Sequence, residues 1–159
     1  MESPSKPTRR TLLGAAGATG LGVALTACSP SSPSPGSSEQ ASAVPSPAGE
    51  GQTVLASDQL AELGKAEVIV RGPASGKDLG VLLYRPDAST VLAYSNICSH
   101  QGCAVGTETT EANFYCPCHG SRYDYEDGSV LAGPAPRGLT RYAANIKGKD
   151  IVVYPPPDA

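Results

Sequence analysis

Apolar residues in the C-terminal two thirds of the chain fall into short runs rather than at helical spacing. The runs are rich in valine, isoleucine, leucine and tyrosine, and turn residues such as Arg85-Pro86-Asp87, Asp127-Gly128 and Lys147-Gly148 separate them. This pattern is typical of β-strands bounded by turns. It predicts strands at 67–71, 80–84, 90–95, 113–116, 121–125, 140–145 and 150–154, with a short strand and one helical turn within 54–63.

Many short strands at close spacing predict an all-β fold, an antiparallel sandwich or barrel. The sequence shows no long amphipathic helix and no internal repeat. The folded domain is predicted to occupy residues 52–159, because the preceding residues have a different composition.

The N-terminus has the pattern of an export signal over residues 1–27. Arg9 and Arg10 precede an apolar run at 12–27, which ends in Leu-Thr-Ala before Cys28. That run is 16 residues long, shorter than the roughly 20 that a membrane-spanning helix needs. The paired arginines resemble a twin-arginine signal, and the end of the run resembles the lipobox of bacterial lipoproteins. This resemblance implies cleavage before Cys28 and a lipid on its sulfur; an uncleaved signal anchor is the alternative.

Residues 28–51 are dominated by serine, proline, glycine and alanine. Such a composition buries too little apolar surface to fold, which predicts a flexible tether. Together with the signal, the tether predicts an exported domain anchored to the outer face of the cytoplasmic membrane through lipidated Cys28. The net charge of −3 argues against a nucleic-acid partner, which requires a basic surface.

Apart from Cys28, every cysteine and histidine of the chain lies within residues 98–119. They form two groups: Cys98-Ser99-His100-Gln101-Gly102-Cys103 and Cys116-Pro117-Cys118-His119-Gly120-Ser121. Both groups follow strand-like runs, so we expect them on two loops at one end of the sheet. Four cysteines and two histidines are compatible with a structural zinc site, with a pair of structural disulfides, or with a mixed-ligand iron–sulfur centre.

The two groups resemble the two signature boxes of the Rieske family, C-x-H-x-G-C and C-P-C-H-G-S. The resemblance implies one 2Fe–2S cluster in a small subdomain made of two loops on a Rieske-type β sandwich or barrel. It assigns Cys98 and Cys116 to one iron and His100 and His119 to the other. It also implies a disulfide between the remaining pair, Cys103 and Cys118, which suits the oxidising compartment that the signal predicts.

Two further resemblances point to the high-potential, cytochrome bc-type members of the family. Ser121 and Tyr123 match positions that donate hydroxyl hydrogen bonds to a bridging sulfide and a cysteine sulfur, which raises the potential. The segment Gly133-Pro134-Ala135-Pro136 resembles a proline-rich loop that covers the cluster. Gln101 departs from the pattern, because Rieske subunits of quinol-oxidising complexes usually have a leucine there.

These features predict an electron-transfer protein with a redox protein partner and no substrate turnover of its own. The alternative is the Rieske subunit of a larger oxidoreductase, either a cytochrome bc-type quinol oxidase or a molybdenum enzyme resembling arsenite oxidase. A Rieske oxygenase is excluded, because its mononuclear iron needs two more histidines and the sequence has only two in all.

Overall fold

The computed structural model describes residues 44–107 and 111–159. The described part contains nine strands: β1 (Gln52–Ala56), β2 (Gly64–Arg71), β3 (Asp78–Arg85), β4 (Leu92–Ser95), β5 (Phe114–Tyr115), β6 (Arg122–Tyr123), β7 (Val130–Ala132), β8 (Arg141–Lys147) and β9 (Asp150–Tyr154). One turn of 3₁₀ helix, Ser57–Gln59, follows β1. No helix in these ranges is long and apolar enough to cross a membrane.

Six strands form an antiparallel sheet in the order β1-β9-β8-β4-β3-β2. The side chain of Gln52 on β1 joins the two edges of this sheet. Its amide nitrogen donates to the carbonyl oxygen of Arg71 on β2 at 2.6 Å, and its amide oxygen accepts from the Arg71 N–H at 2.8 Å. A single side chain therefore takes the place of a strand-to-strand ladder and nearly closes the sheet into a barrel.

The β3 strand is buried on both faces and separates two apolar cores. Val81 and Leu83 belong to the core inside the barrel, with Ile151 and Val153 of β9. Leu82 and Tyr84, which point to the other side, belong to a second core outside the barrel. Alternate side chains of a strand face opposite sides of the sheet, so this one strand joins the barrel to the subdomain packed on it.

The remaining strands form a small antiparallel sheet in the order β5-β6-β7. Its core is aromatic: the Phe114 ring lies edge-on to Tyr94 and Tyr125, with centroid distances of 5.8 and 4.7 Å, and Tyr125 stacks on Tyr84 at 5.0 Å. These contacts fix the small sheet against β3 and β4. The two cysteine- and histidine-containing loops are thereby held by a rigid base.

The prediction of an all-β antiparallel fold is confirmed, with the two loops extending from the small sheet and its neighbours. The prediction of a strand and a helical turn within 54–63 is also confirmed, and β9 has the predicted bounds. One strand, β7, was not predicted, and the predicted strand at 121–125 is reduced to Arg122–Tyr123. The signal at 1–27 and most of the tether, with Arg9, Arg10 and Cys28, lie outside the described residues, and the predicted domain boundaries remain predictions.

Candidate metal centre

The first loop, Cys98–Cys103, is a tight turn closed by its own backbone. The N–H of Cys98 donates to the carbonyl of Cys103 at 2.9 Å, and the N–H of Gly102 donates to the carbonyl of Cys98 at 2.8 Å. Gly102 has a φ of 75°, in the region that favours glycine. The turn buries Cys98 at its base and leaves Gln101 exposed at its tip.

The second loop, Cys116–Ser121, has the same internal pattern. The N–H of Cys116 donates to the carbonyl of Ser121 at 2.9 Å, and the N–H of Gly120 donates to the carbonyl of Cys116 at 3.0 Å. Gly120 has a φ of 79°. Each loop therefore places one cysteine at a buried base and one histidine nearer its tip.

A disulfide joins Cys103 of the first loop to Cys118 of the second, as predicted. The cysteines at the two loop bases, Cys98 and Cys116, are free and buried. The disulfide cross-links two segments that are 15 residues apart in sequence. It restricts how far the loops can separate, whatever they hold between them.

The two histidines lie side by side across the gap between the loops. Their ring centroids are 4.7 Å apart, and the rings are nearly perpendicular, at 89°. His100 is partly buried, and His119 is exposed. The Nδ1 atom of His100 is buried and has no hydrogen-bond partner among the described residues. A buried ring nitrogen without a hydrogen-bond partner is expected where that nitrogen serves as a ligand to a metal ion.

Tyr123 contacts the sulfur of Cys98 directly, with its hydroxyl oxygen 3.2 Å from Sγ. The N–H of Ser99 donates to the same hydroxyl oxygen at 3.4 Å, which leaves the hydroxyl proton free to point at the sulfur. Burial and the contact with Cys98 raise the pKa of Tyr123 to about 12. Tyr123 therefore stays protonated, as a donor, over the whole neutral range.

The two buried thiols differ electrostatically. Burial disfavours both thiolates, but the Tyr123 hydroxyl, the backbone N–H of His100 and the side chains of Cys116 and Ser121 more than offset it at Cys98, whose pKa is lowered. Burial and the neighbouring Cys98 raise the pKa of Cys116. The site thus contains hydrogen-bond donors positioned to stabilise at least one thiolate, that of Cys98.

Ser121 lies fully buried at the end of the second loop. Its Oγ has no hydrogen-bond partner among the described residues, although it is near enough to Cys98 to help lower the pKa of that thiol. An unpaired buried hydroxyl is expensive unless another acceptor is present. Together with His100 Nδ1, it indicates that the gap between the loops is built for an additional group.

The segment Gly133–Arg137, which we call the proline segment, packs against both loops. Gly133 has a φ of 95°, and a Cβ placed there would lie 2.5 Å from the Cα of Ser121. At the other end of the segment, the Ser99 hydroxyl donates to the carbonyl of Arg137 at 2.6 Å. The prolines of this segment were predicted to cover the cluster, but these two contacts were not predicted. The signal that the sequence offered was the hydroxyl of Ser99 beside Cys98 in the first box.

The donor set fits a group bound by two sulfurs and two nitrogens. Cys98 and Cys116 are free and buried, and His100 and His119 are adjacent; the assignment of the cysteines to one iron and the histidines to the other stays a prediction. The sulfur of Cys116 also lies within 4.8 Å of both sulfurs of the disulfide. Because a disulfide supplies no thiolate, Cys103 and Cys118 are not ligands while it is intact.

Comparisons with known proteins find a domain family and several relatives similar to this chain. Residues 51–143 match the Rieske [2Fe-2S] domain family. The cytochrome b6-f complex iron-sulfur subunit of Microcystis aeruginosa (strain NIES-843 / IAM M-2473) is 47% identical over 58 residues, which cover 36% of this chain and 32% of that one. The subunit of the same name from Synechococcus sp. (strain JA-3-3Ab) is 33% identical over 120 residues, 70% of this chain and 69% of that one.

The chain spans about a third of the length of several of the curated relatives that it matches. Among solved structures, the ferredoxin of carbazole 1,9a-dioxygenase from Nocardioides aromaticivorans IC177 is similar, with a TM-score of 0.52 and 26% sequence identity. That alignment covers 68% of this chain and 100% of the ferredoxin. The family match over residues 51–143 includes both loops.

Proposed function

The chain belongs to the Rieske [2Fe-2S] family, whose domain holds one 2Fe–2S cluster, and from this premise we propose that it is a one-electron carrier. When bound, the cluster accepts and releases single electrons. The observation that carries the proposal is the pairing of two buried free cysteines with two adjacent histidines on cross-linked loops.

In this proposal Cys98 and Cys116 are the thiolate ligands of one iron, and His100 and His119 are the nitrogen ligands of the other. Two thiolates and two neutral imidazoles give an oxidised centre of net charge zero, whereas an all-cysteine centre has a charge of −2. Adding an electron to a neutral centre costs less electrostatic energy than adding one to a centre with a charge of −2. The ligand set therefore favours a potential in the range of about −150 to +300 mV, against about −400 mV for plant-type ferredoxins.

Two hydroxyl groups would raise the potential further. Tyr123 lies 3.2 Å from the sulfur of Cys98, and Ser121 Oγ is buried nearby without a partner among the described residues. A hydroxyl that donates a hydrogen bond to a sulfur stabilises the reduced state more than the oxidised state, because the reduced state carries more negative charge. Burial keeps both hydroxyls out of competition with water.

The carrier is proposed to act at the outer face of a bacterial membrane, exported as a twin-arginine lipoprotein and held by lipidated Cys28. The support is the sequence alone: Arg9 and Arg10, the apolar run, and the Ser/Pro-rich tether. A tether of this length spans roughly 25 Å on average. Such a length would let the domain reach a redox protein partner without entering the membrane.

A subunit of a larger oxidoreductase is the second candidate, because matched relatives are cytochrome b6-f complex iron-sulfur subunits. Two observations favour the independent carrier. The similar ferredoxin is covered over its whole length, and the exposed tip of the first loop has the polar side chain of Gln101 instead of an apolar one. Purification of the tagged chain from its native membranes separates the two, since a subunit would co-purify with stoichiometric partner chains.

Iron and acid-labile sulfide analysis, followed by a potentiometric titration, tests the carrier and its ligands. We expect two irons and two sulfides per chain and a single one-electron transition. Cys98→Ser and His100→Ala should abolish the visible spectrum. Cys28→Ser is the matched control: it should keep the spectrum but move the protein from the membrane fraction to the soluble one. A colourless wild-type protein would refute the carrier, and a membrane-bound Cys28→Ser would refute the anchor alone.

A further inference from the structure

The two loops and the proline segment together form one surface, which we call the cluster face. It consists of residues 99–102, 117–119 and 133–137, most of which are exposed. The disulfide joins the two loops, and their histidines lie side by side across the gap. The Ser99 hydroxyl donates to the carbonyl of Arg137 at 2.6 Å, which ties the proline segment to the first loop. A partner bound on this face therefore contacts the loops that hold the proposed cluster.

The cluster face carries one charged side chain, that of Arg137. Its three segments contain no aspartate, glutamate or lysine and no second arginine. The Arg137 side chain is exposed, and it belongs to neither of the two ion pairs formed by the described residues. Ser99 holds the carbonyl of Arg137, and Pro134 and Pro136 fix the φ angles of the segment. The guanidinium is thus attached at a fixed point beside the first loop.

Apolar side chains make up much of the rest of this surface. Pro117, Pro134 and Pro136 are exposed on the cluster face. Ile97, directly before the first loop, and Leu131 of β7 are 55% and 53% exposed. Few charges, exposed apolar side chains and one arginine are the composition found at the centre of protein–protein interfaces. The cluster face is therefore suited to a protein partner.

Acidic side chains are concentrated at the opposite end of the β6–β7 hairpin. One end of the hairpin lies at the loops, where Gly133 packs against Ser121. The turn at the other end contains Asp124, Glu126 and Asp127. A partner that docks through lysines would be attracted to this turn, away from the loops. A partner that presents a carboxylate would be repelled by the turn and attracted to Arg137.

We propose that the redox partner of this chain docks on the cluster face through an apolar surface with a carboxylate that pairs with Arg137. The proposal rests on the proposed function, because it names the kind of partner with which the cluster exchanges its electron. One electron passes between the cluster and the redox centre of the partner, so that one is oxidised as the other is reduced. Arg137 selects the partner and positions it, since a guanidinium binds a carboxylate in a fixed, two-pronged geometry.

Two inorganic oxidants of opposite charge test the charge at the cluster face. Ferricyanide, an anion, and tris(phenanthroline)cobalt(III), a cation, each accept one electron from the reduced full-length protein, and stopped-flow absorbance follows the cluster. At low salt, Arg137→Gln should slow ferricyanide about threefold and accelerate the cobalt complex, and added salt should reduce both effects. Lys149→Gln is the matched control. It removes the same charge from an exposed position in the β8–β9 turn and should leave both rates nearly unchanged.

Re-oxidation of the reduced protein by its native membranes tests the protein partner. Arg137→Gln should slow this reaction about tenfold or more, Arg137→Lys should retain part of the rate because it keeps the charge, and Lys149→Gln should match the wild type. An unchanged rate for Arg137→Gln overturns the proposal. Slower re-oxidation of Glu126→Gln overturns it in favour of a basic partner. Loss of self-association in Arg137→Gln, measured by sedimentation, overturns it in favour of a second copy of this chain.

Failure of this proposal can be distinguished from failure of the proposed function. Each variant is first checked for the iron content and visible spectrum of the wild type, which Arg137→Gln should retain because its side chain is exposed. A wild-type protein without iron and sulfide refutes the carrier itself. A protein that carries its cluster but whose rates do not depend on Arg137 refutes the docking surface alone.

Discussion

Gly133 is the point at which the proline segment contacts the second loop, and replacing it by alanine should separate the two. Its φ of 95° lies beyond the left-handed region that other residues tolerate. The added Cβ would lie 2.5 Å from the Cα of Ser121, 2.8 Å from its nitrogen and 3.0 Å from the carbonyl oxygen of Gly120. All three are backbone atoms, so no side chain can turn away to relieve the clash.

Two contributions set how much Gly133→Ala lowers the free energy of unfolding. The left-handed backbone costs a non-glycine residue about 1–2 kcal/mol, and overpacking against fixed atoms costs about 1–3 kcal/mol. Gly148 provides the matched control. It has a φ of 60° in the β8–β9 turn, and a Cβ added there would meet no atom of the described residues within 4 Å. Gly148→Ala should therefore show only the backbone cost. Gly133→Ala should be less stable than this control by at least about 1–3 kcal/mol, because its backbone cost is no smaller and the overpacking is added to it.

Chemical denaturation of both variants measures this difference, and the decay of visible absorbance in air measures the exposure of the cluster. Gly133→Ala should lose its cluster faster than the wild type, because the proline segment no longer shields the second loop. Gly148→Ala should lose it at the wild-type rate. Equal stability and equal cluster lifetime for the two variants would refute the structural role given to the Gly133–Ser121 contact.

Three other predictions concern potential and acid stability. Tyr123→Phe and Ser121→Ala should each lower the midpoint potential by about 40 mV, the equivalent of about 1 kcal/mol for a lost hydrogen bond. Tyr125→Phe is the control and should leave the potential unchanged. If voltammetry finds the wild-type potential in all three variants, the two hydroxyls do not tune the cluster. The midpoint potential of the wild type should fall as pH rises on the alkaline side, since reduction favours protonation of the outward-facing imidazole nitrogens. A potential that does not change with pH in that range would contradict histidine ligands whose second nitrogens face solvent. Hydrogen bonds from Ser89 and Thr90 lower the pKa of exposed Asp87 to about 2 from 3.8. Its charge therefore adds stability above about pH 4 that is lost towards pH 2, and the stability gap between wild type and Asp87→Asn should narrow over that interval; a constant gap contradicts this.

The β pattern of the barrel could be predicted because its strands carry strong local signals. Residues 150–154, for example, are almost entirely β-branched or aromatic and are bounded by Gly148 and a proline run. The β7 strand, Val130–Ala132, could not be predicted in the same way. Its three residues are too few for an alternating pattern, and it is a strand only because it pairs with β6.

The disulfide between Cys103 and Cys118 could be inferred from the two sequence boxes, and the ligand pairs that the boxes imply stay a prediction. The surroundings of the site could not be inferred. The closing of the barrel depends on one glutamine side chain, Gln52, paired with a residue 19 positions away. The link from Ser99 to the carbonyl of Arg137 spans 38 positions and uses a backbone atom, so it leaves no trace in the identity of residue 137. Contacts of this kind are set by tertiary packing rather than by local pattern.

The central claim is that one iron is held by sulfur and the other by the nitrogens of His100 and His119. Pulsed electron paramagnetic resonance of the reduced protein, recorded with natural-abundance and ¹⁵N-histidine-labelled samples, examines that claim directly. The account predicts strong couplings to two directly bound imidazole nitrogens, which change with the label. A reduced iron–sulfur spectrum without such couplings would contradict it.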